Sequence, residues 1–334
     1  MRIRILLLLM LVGTLLTGCT DNGTVAKKSN QGEKTKIVFA RSPNPLATLP
    51  IVAEENGYFS DAGIEVDVKE FTTGKLCYDA LIGGGADFCT VAETPVMIGG
   101  FSDQKNFVIA TIESSPLSVK VLARKGSGIS KEKDLAGKKV GTFKGSSAEF
   151  FLGKFLQAHE MEEGDLKITH LTPPQLSNAI ISGDLDAIVI WEHYITSAAT
   201  EIGDDAIIFT GEDFYTETFN IAIKQEYADK NPAIVKGFLE ALVKAEEFVK
   251  SKPTETKKLL LEKISIDDTV LEKIWPIYDL QVRLDQKLID QIEEEAKFAI
   301  ESKWVKDGSE LPDYRQYFEP KFLKEIDSSR TTIE

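Results

Sequence analysis

The sequence predicts an α/β protein of two lobes, each with a mainly parallel sheet flanked by helices, and a helical C-terminal section. Short apolar runs rich in β-branched residues alternate with helical patterns, as in parallel βαβ units. About 300 residues follow the N-terminal segment, which is more than one domain usually contains. From Asn231 onward only amphipathic helical patterns remain.

The N-terminal segment is typical of an export signal. Arg2 and Arg4 precede an apolar run of roughly 12 residues, whereas a membrane-spanning helix needs about 20. Leu16-Thr17-Gly18-Cys19 resembles a bacterial lipobox, so we expect residues 1–18 to be removed and Cys19 to be lipidated. An ordinary cleaved secretory signal with a chance cysteine is the alternative.

A flexible tether is predicted after Cys19. Residues 19–35 are rich in Asn, Gly, Ser, Lys and Gln and contain hardly any apolar side chains. No later stretch is apolar enough to span a bilayer, so the lipid is the expected membrane anchor. The formal net charge of −14 argues against nucleic acid as a partner, because the phosphate backbone would be repelled.

The predicted elements of the first lobe come directly after the tether. Strands are predicted at residues 36–41, 64–71, 86–91 and 107–113. Helices are predicted between them at residues 49–59, 76–82 and 95–101.

A second series of strands and helices predicts the second lobe and the return to the first. Its strands are predicted at residues 120–124, 139–143, 167–171, 187–191, 206–210 and 220–224. Its helices are predicted at residues 146–159, 174–182 and 194–202.

The C-terminal section is predicted to contain four helices, at residues 232–250, 254–263, 268–280 and 285–306. Pro232 and Pro253 stand at helix starts, where proline is tolerated because the first-turn N–H groups have no helical partner. This section is expected to pack on the first lobe.

Two further cysteines, Cys77 and Cys89, lie in the first lobe. An oxidising compartment would permit a disulfide between them. We favour two buried thiols.

Five loops after predicted strands lead into a helix start with neutral or hydroxyl-bearing residues. These loops are residues 42–48, 72–75, 92–95, 144–147 and 191–192. Ligands of open α/β sheets bind beyond the carboxyl ends of the strands, and helix N-termini attract anions. Ser and Thr are also ordinary helix caps, but five converging loops favour a binding site.

At this point a family resemblance becomes specific. Residues 53–66 resemble the opening motif A-x-x-x-G-Y/F-F-x-x-x-G-h-x-V, with h apolar, of solute-binding proteins of the nitrate/sulfonate/taurine and thiamine-pyrimidine type. Residues 80–88, 134–141, 145–147 and 183–192 resemble further family signatures in order. The resemblance covers about residues 36–250.

The resemblance implies a periplasmic-binding-protein-like fold of type 2. Lobe 1 would comprise residues 36–116 and 218–334, and lobe 2 residues 117–217. Two crossing strands near residues 115–119 and 212–219 would form the hinge. Such a protein, a monomer without cofactor or metal, binds a small solute outside the cytoplasm and delivers it to the permease of an ABC transporter.

The resemblance also implies the residues of the pocket. They are Ala47, Thr48, Thr73, Gly74, Lys75, Ala92, Glu93, Thr94, Glu113, Ser114, Gly145, Ser146, Ser147, Trp191, Glu192, Thr218 and Asn220.

The chemistry of these residues indicates two kinds of partner group. Gly145, Ser146 and Ser147 would donate hydrogen bonds to an acidic group such as sulfonate, and Trp191 is either an apolar wall or plain packing. Carboxylates disfavour an anion and favour an amine, which applies to Glu93, Glu113 and Glu192. A zwitterion such as taurine would satisfy both groups; a pyrimidine precursor is the alternative, and nitrate fits least.

The basic residues that would counter a bound anion are Arg41, Lys75 and Lys144. An exposed surface position is the alternative for each.

Other functions on the same scaffold remain open, namely an exported enzyme and a sensory or adhesive lipoprotein. His159, His170 and His193 show no metal-ligand spacing, and the sequence contains no phosphate-loop or G-x-S-x-G motif. The protein is therefore not expected to be an enzyme.

Overall fold

The computed structural model describes residues 34–334 of the chain. The predicted signal peptide, Cys19 and nearly all of the predicted tether lie outside these residues. Within the described part, no helix is both long and apolar enough to cross a membrane.

The described chain forms two five-stranded sheets. The strands are β1 (Thr35–Arg41), β2 (Ile64–Glu70), β3 (Phe88–Ala92), β4 (Asn106–Ser115), β5 (Val119–Arg124), β6 (Lys139–Thr142), β7 (Lys167–His170), β8 (Ala187–Trp191), β9 (Ala206–Phe209) and β10 (Glu217–Lys224). The strand orders are β2-β1-β3-β10-β4 and β7-β6-β8-β5-β9. We refer to the two sheets with their flanking helices as lobe 1 and lobe 2.

In each sheet four strands run in one direction and an internal fifth runs in the opposite direction. β10 pairs antiparallel with β3 and β4, and β5 pairs antiparallel with β8 and β9. The sheets are therefore mixed, although the α/β fold and the dominant strand direction agree with the prediction. β5 and β10 each receive the chain as it crosses from the other sheet, at residues 116–118 and 210–216.

Helices cover the sheets. They are α1 (Thr48–Glu55), α2 (Tyr58–Asp61), α3 (Gly74–Ile82), α4 (Glu93–Gly100), α5 (Ser147–Ala158), α6 (Pro173–Ser182), α7 (Glu192–Ile202), α8 (Gln225–Lys230), α9 (Pro232–Ser251), α10 (Pro253–Lys263), α11 (Asp268–Ile274), α12 (Gln286–Glu301) and α13 (Lys321–Ile326).

Three predicted helices end early or divide, for local reasons. The helix predicted at residues 49–59 divides into α1 and α2 because Gly57 has a φ of 73°, which an α-helix does not contain. The helix predicted at residues 268–280 ends at Ile274, and Pro276 then lies in a short 3₁₀ turn. The last predicted helix ends at Glu301, because Lys303 takes a φ of 58°.

Each lobe has its own hydrophobic core. The core of lobe 1 joins its sheet to α9, whose Phe238 stacks on Phe59 and Phe88. The core of lobe 2 includes Phe150 and Phe151 of α5. Cys77 and Cys89 are free buried thiols, as predicted, and burial raises the pKa of Cys77 to about 12.

Candidate functional site

A small cavity lies where loops and helix starts of the two lobes meet. Lobe 1 lines it with Asn44, Leu46, Thr72, Thr73, Gly74, Lys75, Ala92, Pro95, Glu217 and Phe219. Lobe 2 lines it with Ser146, Ser147, Trp191, His193 and Tyr194. The lobes touch beside the cavity, since a Cβ on Gly145 would lie 3.1 Å from Cε of Lys75.

Part of the predicted site lines this cavity. The predicted residues among the lining are Thr73, Gly74, Lys75, Ala92, Ser146, Ser147 and Trp191. Ala47 and Thr48 are buried where α1 begins, and Gly145 lines a neighbouring crevice with Lys75.

The remaining predicted residues lie beside or behind the cavity. Glu93 and Thr94 are buried in the first turn of α4, and Glu192 is buried in the first turn of α7. The others lie on the two strands that adjoin the crossings: Glu113, Ser114, Thr218 and Asn220.

Helix N-termini point donors towards the cavity region. Thr73 caps α3 by accepting a hydrogen bond from the N–H of Leu76. The starts of α4, α5 and α7 have no side-chain cap. At α5 the Ser146 hydroxyl donates instead to the Phe143 carbonyl at 2.6 Å. First-turn N–H groups of α5 therefore have no hydroxyl competing for them, which suits an anion. The Glu149 carboxylate lies at the same helix start, where its Oε2 accepts from the N–H of Gly145 at 2.7 Å.

Glu217 is the carboxyl group in the cavity lining, although the sequence did not single it out. It is 1% exposed, and its Oε1 accepts hydrogen bonds from Ser147 Oγ at 2.5 Å and Trp191 Nε1 at 2.8 Å. Its Oε2 has no hydrogen-bond partner among residues 34–334. Burial, and then the nearby charge of Glu93, raise the pKa of Glu217 to about 8.

Aromatic side chains form the apolar part of the wall. Trp191, Phe219 and Tyr194 all line the cavity. Trp191 also donates a hydrogen bond to Glu217, so its position is set by a polar contact as well as by packing. His193 is kept neutral at physiological pH, because burial lowers its pKa to about 4.

The predicted counter-charges have other contacts. Lys75 lines the cavity, with its ammonium 2.7 Å from Asp79. Arg41 is buried in ion pairs with Glu54 and Glu70, at 2.5 and 3.2 Å. Lys144 is exposed. The described cavity thus offers an anion backbone N–H groups more than free positive charge, since the hydroxyls of Ser146 and Ser147 donate to Phe143 and Glu217.

A group of buried acids lies behind the cavity. Glu93 accepts hydrogen bonds from Tyr215 and from the N–H and hydroxyl of Thr218. Thr94 joins Glu93 to Glu295, with oxygen–oxygen distances of 3.4 and 3.0 Å. Burial raises the pKa of Glu93, and it raises the pKa of Glu113 and Glu295 well above their usual range.

The polar residues of the cavity lining that are not among the predicted pocket residues are Asn44, Thr72, His193, Tyr194 and Glu217. Asn44 lies in the predicted loop 42–48, where it caps a 3₁₀ turn. Glu217 directly precedes the predicted Thr218. Because successive side chains of a strand face opposite sides, the alternation along this strand was the signal that could have identified Glu217 as a residue of the other face.

Comparisons with known proteins agree with this architecture. The chain is 28% identical over 275 residues to a Bacillus subtilis (strain 168) protein named for aliphatic sulfonates binding, covering 80% of this chain and 81% of that one. It is 26% identical over 261 residues to a formylaminopyrimidine-binding protein of Halalkalibacterium halodurans, covering 76% and 77%.

The fold is that of a periplasmic binding protein. The crystal structure of the periplasmic aliphatic sulphonate binding protein of Escherichia coli superposes with a TM-score of 0.75 at 20% identity, covering 85% of this chain and 92% of that one. The family model described as NMT1/THI5 like matches residues 44–256, which is more than half of the chain. The protein therefore belongs to the NMT1/THI5-like family.

Proposed function

We propose that the protein is the extracytoplasmic solute-binding component of an ABC importer, which encloses a small organic solute between its lobes and delivers it to a permease. The observation that supports this most is the cavity at the junction of the lobes, lined from both sides. A site built from two bodies can close on its ligand by a hinge motion. Relatives named for binding aliphatic sulfonates support the same role.

The cavity contains two chemically different groups, which adjoin each other at Ser147. Uncapped N–H groups at the start of α5 are suited to a sulfonate or another anion. Glu217, with its unpartnered Oε2, is suited to an ammonium group or another strong hydrogen-bond donor. We therefore favour a zwitterionic solute such as an aminoalkanesulfonate.

An aminopyrimidine is the second candidate. The aromatic walls formed by Trp191, Phe219 and Tyr194 would hold a flat ring, and Glu217 would accept from an exocyclic amine. A relative named for formylaminopyrimidine binding supports this alternative. Nitrate has neither an apolar surface nor a hydrogen-bond donor to match these groups.

Lipidation at Cys19 would hold this receptor beside its permease. A tether raises the effective concentration of a bound module near its partner. We propose a lipid-anchored monomer on the outer face of the cell membrane, with the permease subunits as partners.

A thermal-shift and calorimetry screen tests the proposal with taurine, ethanesulfonate, an aminopyrimidine and nitrate. A ligand at about 100 times its Kd stabilises the folded protein by roughly 2.7 kcal/mol, which shifts the melting temperature measurably. We expect taurine to bind and Glu217→Gln to weaken it about tenfold or more, because a hydrogen bond to a charged group is worth roughly 1.5–3 kcal/mol.

Glu226→Gln is the matched control, since it removes the same charge from an exposed helix position. Ethanesulfonate, which lacks the amine, should lose little affinity in Glu217→Gln. Failure of all four solutes to bind, or recovery of a chemically altered solute after incubation, would contradict the proposed function.

A further inference from the structure

The C-terminal section also contacts lobe 2. The buried residues of α12, such as Ile289 and Ile292, belong to the core of lobe 1. Phe298, near the end of the same helix, packs instead against the core of lobe 2. Trp304, just beyond the helix, packs against both cores.

Four residues form this contact, which we call the interlobe clasp: Phe150 and Gly153 of α5, with Phe298 and Trp304. The Phe150 ring lies edge-on to Phe298 and Trp304, with centroids 5.4 and 6.3 Å apart. Both separations are in the range that aromatic pairs prefer. Trp304 Nε1 also donates a hydrogen bond to Glu163 of lobe 2 at 3.1 Å.

Gly153 is the complementary surface for Phe298. A Cβ at this position would lie 2.6 Å from Cζ and 2.8 Å from Cε1 of Phe298. With any larger residue here, the Phe298 ring or α12 would have to shift. Two open crevices border the clasp, one lined by Gly153 and Phe298 and the other by Phe150. Because open crevices lie beside the clasp, the contact between the lobes at this place is limited to the clasp residues and their immediate neighbours.

One end of the clasp adjoins the hinge, because the Phe150 ring also packs against Tyr215 of the second crossing segment, with centroids 5.6 Å apart, whereas the Phe298 end lies further along α12. Gln291 of α12 donates to the carbonyl of Thr216, within the second crossing segment, at 2.9 Å. Phe298 is seven residues further along the helix, or about 10 Å at the rise of an α-helix. A rotation of the lobes about the crossing segments would therefore move Phe298 relative to α5.

The same helix that takes part in the clasp also begins at the ligand cavity. Ser146 and Ser147, at the start of α5, line the cavity, and Phe150 and Gly153 follow within two turns. Holding Gly153 against Phe298 thereby holds the N-terminus of α5 over the cavity.

We propose that the interlobe clasp, together with the contacts at the cavity and the packing of α11 on α7, stabilises the closed form and slows solute release. The clasp is formed while Ser147 and Trp191 of lobe 2 contact Glu217 of lobe 1. Opening the cavity separates Phe150 from Phe298 and Trp304. This inference rests on the proposed function only because taurine is used as the probe of binding.

Two variants test the clasp from opposite sides. Trp304→Ala removes one ring, whereas Gly153→Ala inserts a methyl group against Phe298 and favours the helical conformation of α5 itself. We expect each variant to raise the Kd for taurine about tenfold, chiefly through faster dissociation in stopped-flow measurements, because each weakens at least one aromatic pair between the lobes. Solution scattering without ligand should show a larger radius of gyration.

Phe248→Ala is the control, because Phe248 packs against the core of lobe 1 and lies on α9, whose main contacts are with elements of lobe 1. It should leave both the scattering and the dissociation rate unchanged. If both clasp variants scatter like the wild type, or if they bind taurine with unchanged or higher affinity, the proposed role of the clasp is wrong. If taurine and the other solutes do not bind the wild-type protein, the proposed function is wrong. The scattering comparison without ligand still tests whether the clasp holds the lobes together.

Discussion

At the residue scale, strand alternation explains why Glu217, and not Thr218, lines the cavity. Along β10, Glu217 and Phe219 face the cavity. Thr218 and Asn220 face the other side, where they bond to Glu93 and Thr111. The sequence prediction chose Thr218 and Asn220, since a difference of one residue in a strand exchanges the two faces.

The pKa of Glu217 leads to a prediction about selectivity. A complex with taurine pairs ionised Glu217 with an ammonium group, whereas a complex with ethanesulfonate leaves Glu217 protonated below its pKa of about 8. Raising the pH from 6 to 8 therefore favours the taurine complex, by at most about tenfold per pH unit. Calorimetry at several pH values measures the ratio of the two Kd values.

Glu217→Gln should make that ratio independent of pH, because the amide does not titrate in this range. A wild-type ratio that stays constant, or that falls as the pH rises, would show that Glu217 does not bind the amine.

Element scale: α9 is the helix that joins the sheet of lobe 1 to its N-terminal helices. Its Phe238 is fully buried, stacks on Phe59 and Phe88 at 4.7 and 4.4 Å, and lies edge-on to Phe39 at 5.4 Å. These three rings come from α2, β3 and β1. One side chain therefore connects three elements that are distant in sequence.

Phe238→Ala should lower the free energy of unfolding by about 3–5 kcal/mol, because it leaves a cavity that rigid neighbours cannot fill. Urea denaturation followed by circular dichroism measures the loss. Phe248→Ala on the same helix is the control, since its ring is only partly buried, and it should cost less than half as much. Equal losses in the two variants would contradict this account of the core.

Whole-molecule scale: tertiary structure gathers Glu93, Glu113, Glu217 and Glu295 from four elements into one buried region between the lobes. The Thr94 hydroxyl lies between Glu93 and Glu295 and has only one proton to donate. The two carboxyl groups therefore lie close together, and burial raises the pKa of both.

The acid group predicts how stability depends on pH. Burial raises the pKa of Glu295 in the folded protein well above its usual value, and the neighbouring Glu93 and Glu217 raise it further. Tyr215 and Tyr314 also lie nearby, and Gln291 donates to it. A group with a raised folded pKa stabilises fully below its unfolded pKa and loses that contribution as the pH rises.

We therefore expect the unfolding free energy of the wild type to fall from about pH 5 to pH 8, and that of Glu295→Gln to fall less steeply, by up to about 1.4 kcal/mol per pH unit. Chemical denaturation across this range measures both slopes. Glu294→Gln, at an exposed position on the same helix, should keep the wild-type slope. Identical slopes for Glu295→Gln and wild type would show that Glu295 does not have a raised pKa in the folded protein.

The sequence by itself determined the alternation of strands and helices, the long C-terminal helices and the loops that supply Thr73, Ser147 and Trp191. Those features depend on local periodicity, capping and turn residues, which neighbouring residues in the chain specify. Tertiary structure alone decided which face of β10 reaches the cavity, that Glu217 rather than Thr218 lines it, and that Phe298 contacts Gly153. Each of these depends on strand register or on packing between residues far apart in sequence, which no local pattern records.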